Sequence, residues 1–225
     1  MCQNVVETVS SGVICQACWQ KVRRFEGVVC ARCGYGFPSR SIESAVPLCG
    51  GCRRGLFLFD FARAYSQFED PFKEIIHQFK YRSHRSLARP LSELLFSAYQ
   101  FHWEDCSSDL IVPVPLHKSR ERARGFNQAF ELSKPLGKMA HIPVRSNLLL
   151  RVRPTKVQAG LSRRERRLNV TGAFELSRDG TVEDQAVLLV DDVFTTGATL
   201  NECAKILRRN GARRVNVLTL ARVVR

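Results

Sequence analysis

Apolar residues recur with helical spacing in four stretches of the chain. Over residues 72–79 they fall at i, i+3, i+4 and i+7, which is one face of an α-helix. A second helix is predicted over 86–101, and a third over 125–139 that Pro135 would kink or split. The fourth is predicted over 199–210, where a glycine follows the last apolar position.

Short apolar stretches between these helices predict β-strands. The run at 186–190 is wholly apolar, which is typical of a strand covered on both faces. Further strands are predicted at 110–115, 170–176 and 215–221, with a β-like stretch inside 141–150. Because strands and helices alternate, the sequence predicts an α/β fold with a parallel sheet.

The N-terminal quarter of the chain has a different character. It is rich in cysteine and lacks long periodic runs. A segment of this size buries little apolar surface by itself, and a bound metal would supply the missing folding energy. We therefore predict a cysteine-rich, zinc-ribbon-like domain over residues 1–55 and a larger α/β domain over 56–225.

Three C-x-x-C pairs account for six of the nine cysteines. This spacing lets two thiolates reach one metal ion from a tight turn, and two pairs complete a tetrahedral four-thiolate site. The predicted ligands of a structural zinc ion are Cys15, Cys18, Cys30, Cys33, Cys49 and Cys52.

Six thiolates make one and a half such sites, so their pairing is open. The second and third pairs have a ribbon-like spacing, and we expect about one tightly bound zinc ion. Cys15 and Cys18 then lack a full partner pair, although Cys2 could supply a third thiolate. Buried, unligated cysteines and a redox-active pair are the alternatives, the latter without the βαβ context that it needs.

The balance of charge is strongly basic. Thirty-five Lys and Arg against 21 Asp and Glu give a net charge of +14 and a pI near 9.8, which favours nucleic acid, anionic membrane or phosphorylated small molecules as partners. A soluble protein can also simply be basic. The 44% hydrophobic content excludes a wholly disordered chain. No apolar run is long enough for a membrane span and no secretory signal is visible, so we expect a cytoplasmic protein.

Residues 187–199 carry the most informative chemistry. They run from a predicted buried strand through Asp191 and Asp192 into a Thr/Gly turn and a helix start. A helix N-terminus binds phosphate through its backbone N–H groups, and Gly197 lets the backbone approach the anion closely. Two carboxylates beside a phosphate suit the hydroxyl groups of a ribose. The segment therefore predicts a ribose 5-phosphate site at the carboxyl end of a strand.

Other phosphate-binding motifs fit this segment less well. No Walker A loop is present, and an acidic Walker B-like strand end would have no P-loop to accompany it. The dinucleotide fingerprint is also absent. An ordinary turn with threonine caps would leave the two adjacent acids without a role.

Residues 187–200 resemble the phosphoribosyl-pyrophosphate (PRPP) motif of type I phosphoribosyltransferases. From about residue 15 to its end, the chain resembles the ComF family, which joins such a domain to an N-terminal zinc domain. Further matching segments are His77-Gln-Phe-Lys80-Tyr81, Val112-Pro-Val-Pro115, Arg124-Gly-Phe-Asn-Gln128 and residues 155–174. Many relatives carry four C-x-x-C pairs where this chain has three, so a complete second zinc site is not implied.

The resemblance also implies roles for individual residues. Asp191 and Asp192 would hold the ribose hydroxyls, and Mg²⁺ would accompany PRPP, held mostly by the ligand's own oxygen atoms. A mobile, arginine-rich loop over 153–167 would close over the ligand. The remaining PRPP-contacting residues would be Thr195, Thr196, Gly197, Ala198 and Thr199 at the 5-phosphate, Leu116, His117 and Lys118 in a pyrophosphate loop, and Arg163 and Arg167 in the mobile loop.

A second basic segment follows the predicted strand at 110–115. Its cations are Lys118, Arg120, Arg122 and Arg124. They could grip pyrophosphate or contact the phosphates of a nucleic acid.

Three functions stay open at this point. The ComF resemblance implies a PRPP-binding protein of natural transformation or DNA use that binds single-stranded DNA, with a competence helicase or another DNA-processing protein as a possible partner. The second is an active phosphoribosyltransferase that displaces pyrophosphate from PRPP with an unidentified acceptor. The third is a non-catalytic PRPP sensor.

Overall fold

A computed structural model describes residues 14–37, 46–103, 107–155, 160 and 162–224. The helices are α1 (Gln16–Gln20), α2 (Gly50–Arg53), α3 (Phe72–Phe79), a 3-10 helix (Arg82–Leu87), α4 (Ala88–His102), α5 (Lys118–Arg124), α6 (Gln128–Ala140), α7 (Arg163–Val170) and α8 (Ala198–Arg209). The strands are β1 (Phe61–Gln67), β2 (Leu110–Pro113), β3 (Leu149–Arg151), β4 (Phe174–Leu176), β5 (Ala186–Phe194) and β6 (Arg214–Arg222).

Four strands form a parallel sheet in the order β1-β6-β5-β2. The predicted α/β fold with a parallel sheet is therefore confirmed. Strand β1 was not predicted, because only Ala62 in it is buried and its apolar pattern is weak. It lies at one edge of the sheet and pairs with β6 alone.

Both faces of the sheet are covered, as the apolar run in β5 predicts. Alternate residues of a strand point to opposite faces. Val187 and Leu189 belong to the core that contains α8, whereas Leu188 and Val190 belong to the core that contains α3, α4 and α6. The carboxyl ends of β5 and β2 are thus held between two packed layers.

Two predictions for the region after β2 were wrong. The third helix begins at Gln128 rather than at residue 125, and Pro135 does not split it, since Leu132 and Leu136 on both sides of the proline are fully buried. A kink at Pro135 stays a prediction. A separate helix, α5, precedes it. That helix carries no apolar stripe, so periodicity could not reveal it.

The predicted strand at 170–176 was also partly wrong. Helix α7 extends to Val170, and the strand begins only at Phe174. It pairs antiparallel with β3 in a small separate ribbon, which packs beside α8. The predicted mobile loop over 153–167 includes the first turns of α7, which a Ser162–Glu165 capping box stabilises.

The cysteine-rich segment covers the outer edge of β1. Backbone N–H groups of Phe25 and Ala62 donate to the carbonyl oxygens of Tyr65 and Arg32, respectively, each over 2.8–2.9 Å. This coverage protects an otherwise open strand edge. A domain boundary at residue 55 stays a prediction. Among the described residues, no helix combines the length and apolar content needed to cross a membrane.

Candidate ligand cavity and metal centre

The two adjacent acids lie within β5 rather than after it. The strand continues to Phe194, and Asp191 pairs in register with Thr219 of β6. The chain then turns through residues 195–197 into α8. The acids and the turn therefore stand together at the carboxyl end of the sheet, where open α/β sheets bind ligands.

Gly197 is required by the shape of this turn. Its φ of 77° lies in the left-handed region, which favours glycine. A Cβ there would overlap the ring of Phe194 and come within 2.8 Å of the ring of Phe57. The close packing sets the path of the backbone into α8, whose N-terminal residues Ala198 and Thr199 line a cavity.

Asp191 and Asp192 are held by short local bonds and by one lysine. The backbone N–H of Asp192 donates to Oδ1 of Asp191 over 2.9 Å, and that of Val193 donates to Oδ1 of Asp192 over 2.8 Å. Lys80 Nζ lies 3.2 Å from Oδ2 of Asp192. Gln128 Nε2 donates to the same oxygen over 3.5 Å.

The two carboxyl groups have opposite titration behaviour. Burial, together with the neighbouring charge of Asp192, raises the pKa of Asp191 well above its usual range. Burial also disfavours the ionised form of Asp192. The ammonium of Lys80 and the N–H of Val193 outweigh this effect and hold the pKa of Asp192 below its usual value. The pair thus resists carrying two full negative charges unless a ligand donates hydrogen bonds or brings a cation.

These residues line a cavity of about 840 Å³, a volume suited to a small-molecule ligand. Of the predicted PRPP-contacting residues, the structure places seven in its wall. They are Leu116, Asp191, Asp192, Thr195, Gly197, Ala198 and Thr199.

Four of the other predicted PRPP contacts, all with described side chains, are not in the cavity wall. Thr196 Oγ1 accepts a 3.4 Å bond from the N–H of Ala198, and His117 caps α5 by accepting from the N–H of Ser119. Lys118 and Arg167 are exposed. The side chain of Arg163 lies outside the described residues.

The four predicted nucleic-acid contacts lie on helix α5 and form two pairs. Arg120 and Arg124, four residues apart, share one face and line the cavity. Lys118 and Arg122 are exposed and do not line it. One basic segment therefore offers cations both to the cavity and to the outer surface.

The cavity residues bond to one another in ways that the sequence analysis did not predict. Arg151 at the end of β3 hydrogen-bonds to Oγ1 of Thr155, whose carbonyl oxygen also accepts from Arg120 over 3.0 Å. Arg124 donates to Gln128, which in turn contacts Asp192. Lys80 was noted only as part of a matching segment. These groups come from separate parts of the chain, so no local spacing reveals them.

Four cysteines form a second candidate site. The Sγ atoms of Cys30, Cys33, Cys49 and Cys52 all lie within 4.8 Å of one another, and those of Cys33 and Cys49 are 3.6 Å apart. A tetrahedral zinc–thiolate site with bonds of about 2.3 Å needs sulfur separations of about 3.8 Å. Cys30 and Cys33 are fully buried. The donor set and its spacing therefore fit a structural metal ion such as zinc.

Proton sharing already polarises this cluster. The thiol of Cys33 bonds to Cys30 and lowers the pKa of Cys30 to about 4, despite burial. Burial raises the pKa of Cys52 to about 12. A metal ion would replace the shared protons, because thiolates are the ligating form.

The first C-x-x-C pair lies elsewhere. Cys18 and Cys15 belong to the core of α3 and α4, whereas the four-cysteine cluster belongs to the core of α8. In the described ranges, the four-cysteine cluster is the one group of three or more metal-ligating side chains. Metal ligation by Cys15 and Cys18 stays a prediction, and Cys2 lies outside the described residues.

Comparison with known proteins assigns the class. The family described as "Phosphoribosyl transferase domain" matches residues 142–223, which include the acids, the turn and α8. The fold and this match define a protein with a phosphoribosyltransferase domain. The chain belongs to the ComF/YhgH family, as its curated relatives show.

Those relatives match nearly the whole chain. Competence protein F of Haemophilus influenzae is 32% identical, with 98% of this chain and 95% of that protein covered. DNA utilization protein YhgH of Escherichia coli K12 is 34% identical, with 94% and 91% covered. Competence protein ComFC of Bacillus subtilis is 30% identical, with 93% and 84% covered.

Solved structures give more distant similarities. Glutamine PRPP amidotransferase from B. subtilis, complexed with ADP and GMP, has a TM-score of 0.44 at 20% identity and covers 64% of this chain and 30% of its own. Purine phosphoribosyltransferase from Pyrococcus horikoshii has a TM-score of 0.38 at 18% identity, covering 59% and 70%.

Proposed function

We propose that the cavity binds PRPP together with Mg²⁺. The observation that carries this proposal is the meeting of a glycine turn at a helix N-terminus, two strand-end acids and three arginines in one cavity. A helix N-terminus suits a phosphate monoester, and arginine forks suit a diphosphate. The acids suit the two ribose hydroxyls, which donate hydrogen bonds to carboxylates.

Each part of the ligand then has a chemically matched partner. The N–H groups and hydroxyls of residues 195–199 bind the 5-phosphate, and Asp191 and Asp192 bind the ribose diol. Arg120, Arg124 and Arg151 face the diphosphate. Mg²⁺ enters with the ligand and keeps most of its coordination to ligand and water oxygens.

Calorimetry with Mg–PRPP tests this site. We expect binding by the wild-type chain and at least 100-fold weaker binding by Asp191→Asn/Asp192→Asn, because each carboxylate is replaced by an amide that is uncharged and keeps only one acceptor oxygen. Glu175→Gln/Asp179→Asn removes two exposed acids outside the cavity and serves as the charge-matched control. Unchanged affinity in the first variant would reject the site.

We further propose that the protein acts in natural transformation or DNA use by binding single-stranded DNA. Its relatives are named Competence protein F and DNA utilization protein. Lys118 and Arg122 are exposed beside the cavity rather than in it, and the net charge is +14. A competence helicase or another DNA-processing protein is a further candidate partner.

Salt dependence tests the nucleic-acid proposal. Phosphate contacts release counterions when they form. The affinity for an oligothymidine should therefore fall steeply between 50 and 200 mM salt, by an amount that corresponds to several phosphate contacts. Lys118→Gln/Arg122→Gln should flatten that slope by about 1.4, at about 0.7 per contact. Arg89→Gln/Arg209→Gln, an equal charge change on exposed residues elsewhere, should not. A wild-type affinity that does not respond to salt would remove the proposal.

Two alternatives concern what happens to bound PRPP. An active transferase would use the cavity arginines and Mg²⁺ to stabilise departing pyrophosphate, while the acids hold a ribose with oxocarbenium character. A sensor would bind PRPP without turnover. Pyrophosphate release in the presence of nucleobases, amines or DNA identifies a transferase, and binding without release supports a DNA-handling or sensing role.

A further inference from the structure

Arg222, at the end of β6, is a buried cation without an acidic partner. Its exposed fraction is 6%. Nη2 donates to Sγ of Cys33 over 3.3 Å, whereas Nε and Nη1 have no hydrogen-bond partner among the described residues. No carboxylate in the described part of the chain forms an ion pair with it. A buried charge needs a nearby opposite charge to offset its desolvation.

Arg63 on β1 is half-buried near the same cysteines, and in the described part of the chain no carboxylate forms an ion pair with it. Its guanidinium donates to the carbonyl oxygens of Cys30, over 3.4 Å, and of Ala31, over 3.1 Å. Its Nε is buried and has no partner within the described ranges. Carbonyl dipoles satisfy N–H groups but supply no net negative charge. Two cations thus face the same four cysteines from neighbouring strands.

The four-cysteine cluster supplies the missing charge if all four sulfurs are thiolates. Four thiolates around a divalent ion carry a net charge of −2, and Arg63 and Arg222 together carry +2. Four neutral thiols would leave both cations uncompensated.

We propose that Arg222 and Arg63 are positioning residues that neutralise and retain a dianionic metal–tetrathiolate centre. Arg222 acts directly, through its bond to Cys33, and Arg63 acts through the backbone of the Cys30 turn. Groups beyond the ligands commonly tune metal affinity in this way. The claim concerns the metal centre and does not depend on PRPP binding.

The charge balance between the two arginines and the cysteine cluster also accounts for the arginines in a neighbouring groove. A groove of about 370 Å³ is lined by Arg24, Arg63 and Arg222 and has the appearance of an anion site. Once two of these charges are neutralised by the centre, Arg24 and Glu26 leave the groove nearly neutral. Arg63 and Arg222 therefore serve the cysteines rather than an external phosphate.

Arg222 also packs on an aromatic ring, so the test must separate charge from packing. Its Cζ lies 3.7 Å from the centroid of Phe194. Arg222→Met keeps an unbranched apolar chain and loses the charge, whereas Arg222→Lys keeps the charge. A charge role predicts that Lys retains the metal better than Met, and a packing role predicts the reverse or no difference.

The measurement is zinc content per purified full-length chain and the rate of zinc transfer to a colorimetric chelator at pH 7. We expect release at least tenfold faster from Arg222→Met than from wild type, an intermediate rate from Arg222→Lys and a smaller acceleration from Arg63→Met. Arg213→Met is the control. Arg213 lies just before β6, is exposed and pairs with Asp109. This variant should release zinc at the wild-type rate.

Wild-type release rates in Arg222→Met and Arg63→Met would overturn the proposal. The proposal would also be overturned if Arg222→Met and Arg222→Lys retained zinc equally well. If Arg222→Met fails to fold, Arg222→Gln and Arg63→Met decide the matter, because both remove a charge and unaltered zinc release from both would contradict the charge role.

Discussion

The four-cysteine cluster and the twin-aspartate cavity both concentrate charge against the same sheet, but one is closed and the other open. In the cluster, four sulfurs lie within 4.8 Å of one another and leave space for a single ion. In the cavity, three acids, the twin aspartates and Glu74, and several cations surround about 840 Å³. Closed coordination is typical of structural metal sites, whereas an open, charged cavity is typical of ligand binding.

The contrast shows what each region requires to be stable. On our proposal, a bound metal ion and two arginines complete the charge balance of the cluster. In the cavity, Lys80 pairs with Asp192, whereas Asp191 lies in surroundings that disfavour its charge. We therefore expect substitutions in the cluster to affect stability most, and those in the cavity to affect ligand binding most.

The largest effect should come from the cluster itself. Cys33→Ser replaces a fully buried ligand and should abolish zinc retention. The free energy of unfolding should fall on the order of 5 kcal/mol, because metal binding energy is folding energy at such sites. Zinc analysis and urea unfolding measure both outcomes. Cys15→Ser, outside the cluster, should keep one zinc per chain, and loss of zinc there would show that the first C-x-x-C pair also binds metal.

The next effect concerns the phosphate turn. Gly197→Ala combines a left-handed backbone with a clash against Phe194. The free energy of unfolding should therefore fall by about 3 kcal/mol, and PRPP binding should be lost. Gly172→Ala is matched in φ, at 67°, but its Cβ would meet nothing within 4 Å, so strain alone should cost about 1 kcal/mol. Thermal unfolding compares the two variants. Equal costs would mean that the packing against Gly197 is not restrictive.

The smallest expected effect on stability comes from Lys80, the lysine that pairs with Asp192. Lys80→Met should cost about 1.5 kcal/mol at pH 7, between the values for exposed and buried pairs, because the lysine side chain is 29% exposed and partly screened. The exposed pair of Lys73 with Asp70 is the control, and Lys73→Met should cost under about 0.5 kcal/mol.

The pH dependence of the Lys80→Met cost follows from the lowered pKa of Asp192. A depressed carboxyl pKa contributes stability that is present above the unfolded-state pKa, near 3.9, and is lost as the pH falls through the folded-state value. Without Lys80, burial raises the pKa of Asp192, so the difference between wild type and Lys80→Met should be larger at pH 7 than in acid and should shrink as the pH falls through the folded-state pKa of Asp192, first in the variant and then in wild type. A cost that is independent of pH would show that Lys80 stabilises the fold by packing rather than by charge.

Contiguous motifs made the principal features readable from the sequence. The C-x-x-C spacing identifies six cysteines, four of which form the cluster. The 187–199 segment contains the acids, the turn and the start of α8. In such segments the chemistry depends on neighbours in the chain. Local spacing is then sufficient evidence for the arrangement.

The cavity walls were harder to predict because tertiary packing assembles them. Lys80 and Gln128 meet Asp192 only after two separate helical elements have folded against the sheet. Helix α5 escaped notice since it is polar on every side and forms through its caps, His117 and Gly125. Gly125, with φ of 87°, was the one sequence signal for its end.

A crystal of the chain soaked with Mg–PRPP tests the central claim most directly. The account predicts the 5-phosphate against the backbone of residues 195–199, with both ribose hydroxyls within hydrogen-bond distance of Asp191 and Asp192. Density for the ligand outside this cavity, or an empty cavity at saturating PRPP, would contradict it.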